Sequence, residues 1–494
     1  MSSLRARTIA ELARRASVLP RDVERFEAAA AANAGGFGIH ASQLHALKIL
    51  MDELIERQRG ILGRLSADLS DAEFADGVGA LLVEIASANG VWSIFSQALA
   101  QRAQPALAPP LDAADLVAAD CYEACMRRAR NWELVPREGL REPPLVCLDA
   151  HYSPVTVSRQ NPLHVVRSSL RRYRDLRLPI PMVLLPSDHT ECAWLLPLLC
   201  HEVGHNVDQD LGISGELARA MLLGMDGKIP SERQDVWYGW TKEILADAIG
   251  VLLGNAGFAM ALSSLLLVLA SGKQQGELDK YDPHPHPMVR VPLLGAMLRR
   301  LGVAPLADAA DRMDEACRAL RAPPWLPPFL GDLDAIAGAA LGSKLKALGG
   351  RAVAELHPDA ASDVKRAGPL ACFLERGELR PSPDKPSYFP HRLVPIAAQL
   401  AIGASASPEQ LAAVQQRAME FFAAIPRPPL LAGRASVPPQ RAAFYARLAR
   451  SIDFTGALTD DLANGSTRDS TRDSARDTTH GVTGAPPPIF AGEG

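Results

Sequence analysis

Hydrophobic positions recur at helical spacing along most of this chain. Leu44, Leu47, Met51, Leu54, Ile61 and Leu65, with Gln58 as the one polar member, step alternately by three and four, a seam of about three heptads. Asp71 to Ala103 is apolar enough, through Leu81, Leu82, Ile85, Val91, Ile94 and Phe95, to be its antiparallel partner. The pair predicts an internal helical hairpin, with a protein partner docked on the seam as the competing reading. Pro105 to Pro110 reads as a linker, and a helix follows from about Ala113 to Arg130.

Two short apolar runs, Pro144 to Asp149 and Pro181 to Pro186, have strand character, and their bounding prolines predict edge positions. Between them, Val165 to Leu176 reads as a basic helix. Ala248 to Gly272 carries no charge and is long enough for a bilayer span. Gly254-Asn255-Ala256-Gly257 interrupts it, which favours two buried core helices over membrane contact. Beyond about residue 300, proline pairs at 323–324 and 327–328 precede alanine-rich amphipathic helices that run to about Phe454. The end differs in kind: Ser466-Thr-Arg-Asp, Ser470-Thr-Arg-Asp and Ser474-Ala-Arg-Asp repeat ahead of Pro486 to Pro488. Such a segment lacks the apolar area to offset its ordering entropy and reads as a disordered tail, or as a docking site for a protein partner.

These elements predict a mainly α fold with a small mixed β-sheet. The regions are an N-terminal helical part (1–105), a central domain (106–300), a C-terminal helical part (301–455) and the tail (456–494). Composition narrows the function. The net charge of −4 over 494 residues, with few aromatics, gives no basic footprint for nucleic acid. Seven scattered cysteines contain no CxxC pair, so neither a disulfide framework nor a cysteine zinc site is indicated. Cys121 and Cys125, four apart on a predicted helix, read as buried thiols rather than metal ligands. The N-terminus has no apolar signal core, and a reducing, cytoplasmic setting is expected.

The chemistry concentrates at His201-Glu202-Val203-Gly204-His205. Residues four apart on a helix project from one face, so His201 and His205 supply two of the ligands of a tetrahedral zinc site, and Glu202 sits beside its open position as a base. Leu199, Val203 and Val207 form the opposite, apolar stripe, Pro197 belongs to the first turn, and Gly212 marks the C-terminal stop. Gly204 leaves room for a second backbone. A histidine six residues after His205 would indicate a metzincin, but position 211 is Leu211. The third ligand is then expected from a second helix, where Glu243 can bind the metal while Asp247, four residues on, accepts the outer N–H of a ligating histidine.

Together, HEVGH, Glu243-Ile-Leu-Ala-Asp247 and His284-Pro-His-Pro-Met-Val-Arg290 resemble the gluzincin metallopeptidases. In its ExxAD and HPxxxxR forms, the set is similar to the CAAX prenyl protease and heat-shock membrane peptidase family over about residues 180 to 295. The resemblance implies a zincin-like core and hydrolysis of a peptide or protein substrate. Zn2+ is expected on His201, His205 and Glu243, with Glu202 as general base. His284 is the first candidate to donate to the carbonyl oxygen, with His286, Tyr281 and Arg290 as competitors. His284-Pro-His-Pro also reads simply as a turn into a helix opening at Pro287. The strand at Pro181 to Leu185 is expected to pair with extended substrate. The alternative function is a catalytically silent, zinc-stabilised scaffold. The separation of the two motif helices and the lack of multiple spans keep family-level substrates out of this reading.

Overall fold

A computed structural model describes residues 2–32, 40–135, 141–150, 152–157, 180–272, 278–378, 389–403, 406–425, 443 and 445–447. The expected basic helix at 165–176 and the repeat tail lie outside these residues. The described residues belong to one compact unit. Among the described residues the fold is mainly α-helical, with two small sheets of three and two strands.

Helices α1 (Ser2–Ala16) and α2 (Val18–Ala32) lead to α3 (Ala41–Arg64) and α4 (Asp71–Ala100). A reciprocal Ser70–Glu73 capping box opens α4. Arg57 pairs with Glu84, Gln58 Nε2 donates to the Glu84 carbonyl at 3.2 Å, and Leu65 abuts Gly77. Partner numbers fall as one helix advances, so α3 and α4 are antiparallel, and the heptad seam closes inside the chain. Leu12, Leu65, Leu81 and Ile85 form a small core cluster there.

Helix α5 (Ala108–Asn131) begins earlier than the sequence suggests, with Pro109 and Pro110 in its first turn. The supposed linker therefore ends in helix, because the first-turn N–H groups that proline lacks have no intrahelical acceptor anyway.

The main sheet contains β1 (Leu145–Asp149), β2 (Val155–Val157) and β3 (Met182–Pro186) in the order β1-β3-β2. β1 runs parallel to β3, and β2 runs antiparallel to it, with Thr156 opposite Val183. This corrects the expectation that β3 is an edge strand, and with it the expectation that β3 pairs with substrate. β3 is the fully buried central strand rather than an edge, and its five-residue apolar run reflects cover on both faces. The edge on that side belongs to β2, whose three residues are too short a run to signal a strand by alternation. The outer edge of β1 is filled by side chains. Asp115 Oδ1 accepts from Val146 N at 3.0 Å, and Arg102 donates to the Val146 carbonyl. Gln101 exchanges both of its amide hydrogen bonds with Leu148, at 2.8 and 3.0 Å.

A 3-10 turn (Ala193–Leu198) containing Pro197 leads into α6 (Leu199–Leu211). Leu199, Val203 and Val207 are fully buried, and Gly212 ends the helix at φ 70°, its N–H bonded to the Asp208 carbonyl. After α7 (Ser214–Met225) and α8 (Ser231–Gly239) comes α9 (Thr241–Gly272). It is two helical segments joined at Asn255, whose φ of 50° and ψ of −142° break the helix within the predicted Gly-Asn-Ala-Gly interruption. Among the described residues, Asp71–Ala103 and Thr241–Val268 are long and apolar enough to cross a bilayer. In the second, 72% of the most apolar window is buried against other parts of the protein.

Helices α10 (Pro287–Arg300), α11 (Ala304–Arg318) and α12 (Leu326–Gly342) follow, then the two-stranded sheet of β4 (Lys344–Leu345) and β5 (Arg351–Ala352). Helices α13 (Ala360–Arg376), α14 (Leu393–Ile402) and α15 (Pro408–Ala424) complete the described fold. One continuous core joins Leu111 to Ile425. Buried Arg392 ties α5 to α13, donating to Asp120 at 2.9 Å and to Asp363 at 2.8 Å.

Helices α6 and α9 meet at Gly204. A Cβ there would lie 3.0 Å from both the Cα and the carbonyl oxygen of Ala246, between the two acidic positions of α9. Backbone cannot swing aside as a side-chain tip can. Gly204→Ala is therefore expected to cost about 1–3 kcal/mol and push the helices apart. Urea denaturation measures the first effect and metal affinity the second; an unchanged midpoint would contradict the contact.

Candidate metal centre

The two helices bring three ligand-type side chains to one point. His201 and His205 come from α6 and Glu243 from the first turn of α9, and their ligand atoms all lie within 4.8 Å of one another. His201 Nε2 and His205 Nε2 are 3.1 Å apart. Glu243 Oε2 stands 3.3 Å from His201 Nε2, and Oε1 stands 3.3 Å from His205 Nε2. All three residues are buried or half-buried.

Asp247 sits one turn beyond Glu243 and is wholly buried. His201 Nδ1–H donates to Asp247 Oδ1 at 2.8 Å. That bond fixes the ring and aims Nε2 at His205 and Glu243, the orientation the sequence anticipates for Asp247. Arg290 of α10, also buried, donates from Nε to Asp247 Oδ2 at 2.7 Å and from Nη2 to Oδ1 at 2.8 Å. The same Nη2 is 3.2 Å from Glu243 Oε2. Phe258, brought back by the break at Asn255, stacks on the His201 ring with centroids 6.3 Å apart.

Burial works against every charge in this cluster, and the neighbours overcome it. For His201, desolvation opposes protonation, but the hydrogen bonds and charges of Asp247 and Glu243 lift the imidazole to about 10. For Glu243, burial would raise the carboxyl, yet the adjacent imidazoles of His201 and His205 and the Arg290 charge hold it well below the usual range. Asp247 is lowered similarly, burial being outweighed first by the Arg290 charge and then by His201. A proton on His201 Nε2 thus stands where the three donors converge.

A divalent cation suits that convergence better. Glu243 Oε2 is buried, and its neighbours are not aligned to hydrogen-bond it. Two imidazole nitrogens facing one another across 3.1 Å can share only one proton between them. Two nitrogens and a carboxylate on one side, with open cleft on the other, match a zinc set that retains a free position.

That side is a cleft of about 1010 Å³ lined by Ser153 to Thr156, His201, Glu202, His205, Glu243, His284 and the apolar Leu262, Leu265 and Leu266. Glu202 is buried in this lining, and the Thr156 hydroxyl on β2 donates to Glu202 Oε2 at 2.8 Å.

The candidate donors separate in space. His284 is on the cleft wall, its side chain 58% exposed, with Nε2 3.8 Å from Glu243 Oε1 and Nδ1 3.2 Å from Asp282 Oδ1. His286 caps α10, accepting from Met288 N through Nδ1 at 3.2 Å, and its ring meets Trp325 edge-on. Pro287 does open that helix. Tyr281 is 95% exposed and does not line the cleft. Arg290 also lines the cleft, but its guanidinium is engaged by Asp247 and Glu243.

Sequence reasoning missed Thr156, Phe258 and Asp282. Only the β-branched run after Pro154 signals the first. The other two depend on a helix break and a loop that no periodicity encodes. Comparison of the chain with protein-family models, with curated proteins and with solved structures gives no match.

Proposed function

We propose that this protein is a zinc-dependent metallopeptidase with a zincin-like core. The observation that carries the reading is the convergence of His201, His205 and Glu243, backed by Asp247, at the floor of an open cleft that also holds Glu202. Zn2+, when bound there, would polarise the substrate carbonyl and acidify water. The protein's residues supply the rest. Glu202 takes a proton from the attacking water as the oxygen reaches the carbonyl carbon, then delivers that proton to the leaving nitrogen as the C–N bond breaks. His284, steadied by Asp282, faces the cleft as a donor for the carbonyl oxygen as it gains charge. An extended peptide would lie along β2, since Ser153 to Thr156 line the cleft and no described strand covers the outer edge of β2.

Purified protein is expected to carry about one zinc per chain and to cleave members of a diverse peptide library, whereas His205→Ala loses both properties. Stoichiometric zinc without cleavage of any peptide would replace this reading with the zinc-stabilised scaffold. Failure to bind zinc would overturn both.

Uptake of the metal has a proton signature. The metal-free His201 imidazole is charged up to about 10, and zinc needs its Nε2 lone pair. Loading apo-protein at pH 8 should release a proton from His201, and affinity should climb as pH rises toward about 10. Calorimetry in buffers of different ionisation enthalpy counts the proton; uptake without release would contradict the assignment.

A further inference from the structure

We infer that Thr156 is a positioning residue for Glu202, holding one carboxylate oxygen so that the other faces the reacting water. The inference rests on the metallopeptidase reading. Its basis is a pair of contacts from one hydroxyl: Thr156 Oγ1 is 2.8 Å from Glu202 Oε2 and 2.9 Å from the Glu202 main-chain oxygen. A hydroxyl has one proton to donate, so it serves one acceptor at a time. The main-chain oxygen already accepts from Asn206 Nδ2 at 2.9 Å. That leaves the Thr156 proton for the carboxylate whenever Glu202 is ionised, because a charged acceptor makes the stronger bond.

The two acceptors matter as the base cycles. When Glu202 takes the proton of water, its carboxyl becomes neutral and the bond to Oε2 weakens. The Thr156 hydroxyl can then rotate about its C–O bond to the main-chain oxygen with little displacement of its own oxygen, and return when Glu202 gives the proton to the leaving amine. The threonine therefore follows the charge on Glu202 without ever losing a partner. Among the described residues the Glu202 carboxylate is hydrogen-bonded through Oε2 alone, and Glu202 lines the cleft. Glutamate has three rotatable side-chain bonds, and a carboxylate tied at one oxygen samples few of the orientations that would waste it.

Placement on β2 adds a constraint. Thr156 is opposite Val183 in the antiparallel pair, so its backbone is fixed by the sheet while its hydroxyl reaches α6. The strand proposed to receive the substrate backbone and the base that acts on that backbone are thus coupled through one side chain. A shift of one relative to the other would break this contact.

The test uses the zinc-loaded full chain with Thr156→Val and Thr156→Ser. Valine keeps the branched shape and removes the hydroxyl; serine keeps the hydroxyl. Thr156→Val is expected to lower kcat on peptides by about 10–100-fold, with KM, zinc content and melting temperature unchanged. Thr156→Ser should recover most of the loss. An ester analogue of the same peptide, whose oxygen leaving group needs less proton assistance, should suffer a smaller drop with Thr156→Val than the amide does. Three results would overturn the inference: wild-type kcat with Thr156→Val, equal damage from serine and valine, or a rise in KM alone, which would assign Thr156 to substrate binding. Wild-type protein that cleaves neither amide nor ester would instead bring down the metallopeptidase reading itself.

Discussion

Glu202→Gln should leave zinc bound at wild-type stoichiometry and reduce peptide hydrolysis by roughly 10²–10⁴-fold, the range a positioned general base supplies. The amide is nearly isosteric with the carboxylate and cannot accept the proton of water. Glu202 is not among the three converging ligands, which are His201, His205 and Glu243. Thr156 Oγ1, at 2.8 Å, can still donate to the amide oxygen, so the side chain should keep its place. Metal analysis together with kcat and KM on one cleaved peptide decides the matter. Loss of zinc in Glu202→Gln would make Glu202 a ligand, and retained hydrolysis would remove it from the chemistry.

Arg290→Met should be the most damaging change to stability, at about 3–5 kcal/mol. The guanidinium is buried, and the carboxylate it grips, Asp247, has no solvent exposure. Removing the cation leaves Asp247 with only the His201 bond against its burial cost. The pH dependence has a definite sign. In the wild type, Asp247 titrates below its ordinary 3.8, so its contribution is present above that value and lost as pH falls through the lower folded value. In Arg290→Met, burial prevails and the carboxyl is raised. The deficit should therefore be largest near neutrality and narrow on acidification, as Asp247 takes up a proton. Adding Asp247→Asn should be less than additive with Arg290→Met, because the second change removes the charge that the first strands. Urea midpoints of the metal-free proteins measure all of this; a loss below about 1 kcal/mol would mean that the pair is solvated rather than buried.

Much of this site can be read from spacing alone. Two histidines four apart with a glutamate beside the first, and Glu243 with Asp247 four apart on another helix, are local patterns that helical geometry turns directly into directions in space. Gly204 and Gly212 were legible for the same reason, one as a close approach and the other as a helix end. Edges were not legible. The prolines around Met182 to Pro186 suggested an exposed strand, but strand order is set by which backbones find each other across long loops, and three residues of β2 took the outer place. Arg290 was visible as part of a motif, but its direction was not. A seven-residue spacing cannot say what a guanidinium will grip; Arg290 lines the cleft, and its paired bonds to buried Asp247 hold it against the ligand cluster.

The side-chain seal on β1 also fixes a sense of travel. With Gln101, Arg102 and Asp115 occupying the amides of Val146 and Leu148, a further strand can join this sheet only beyond β2. A peptide pairing antiparallel with β2 then runs in the same direction as β1 and β3, from the Met182 end toward Pro186. Its amino and carboxyl halves would meet different walls of the cleft. A peptide and its sequence-reversed counterpart, identical in composition, would be read by this protein as two different molecules.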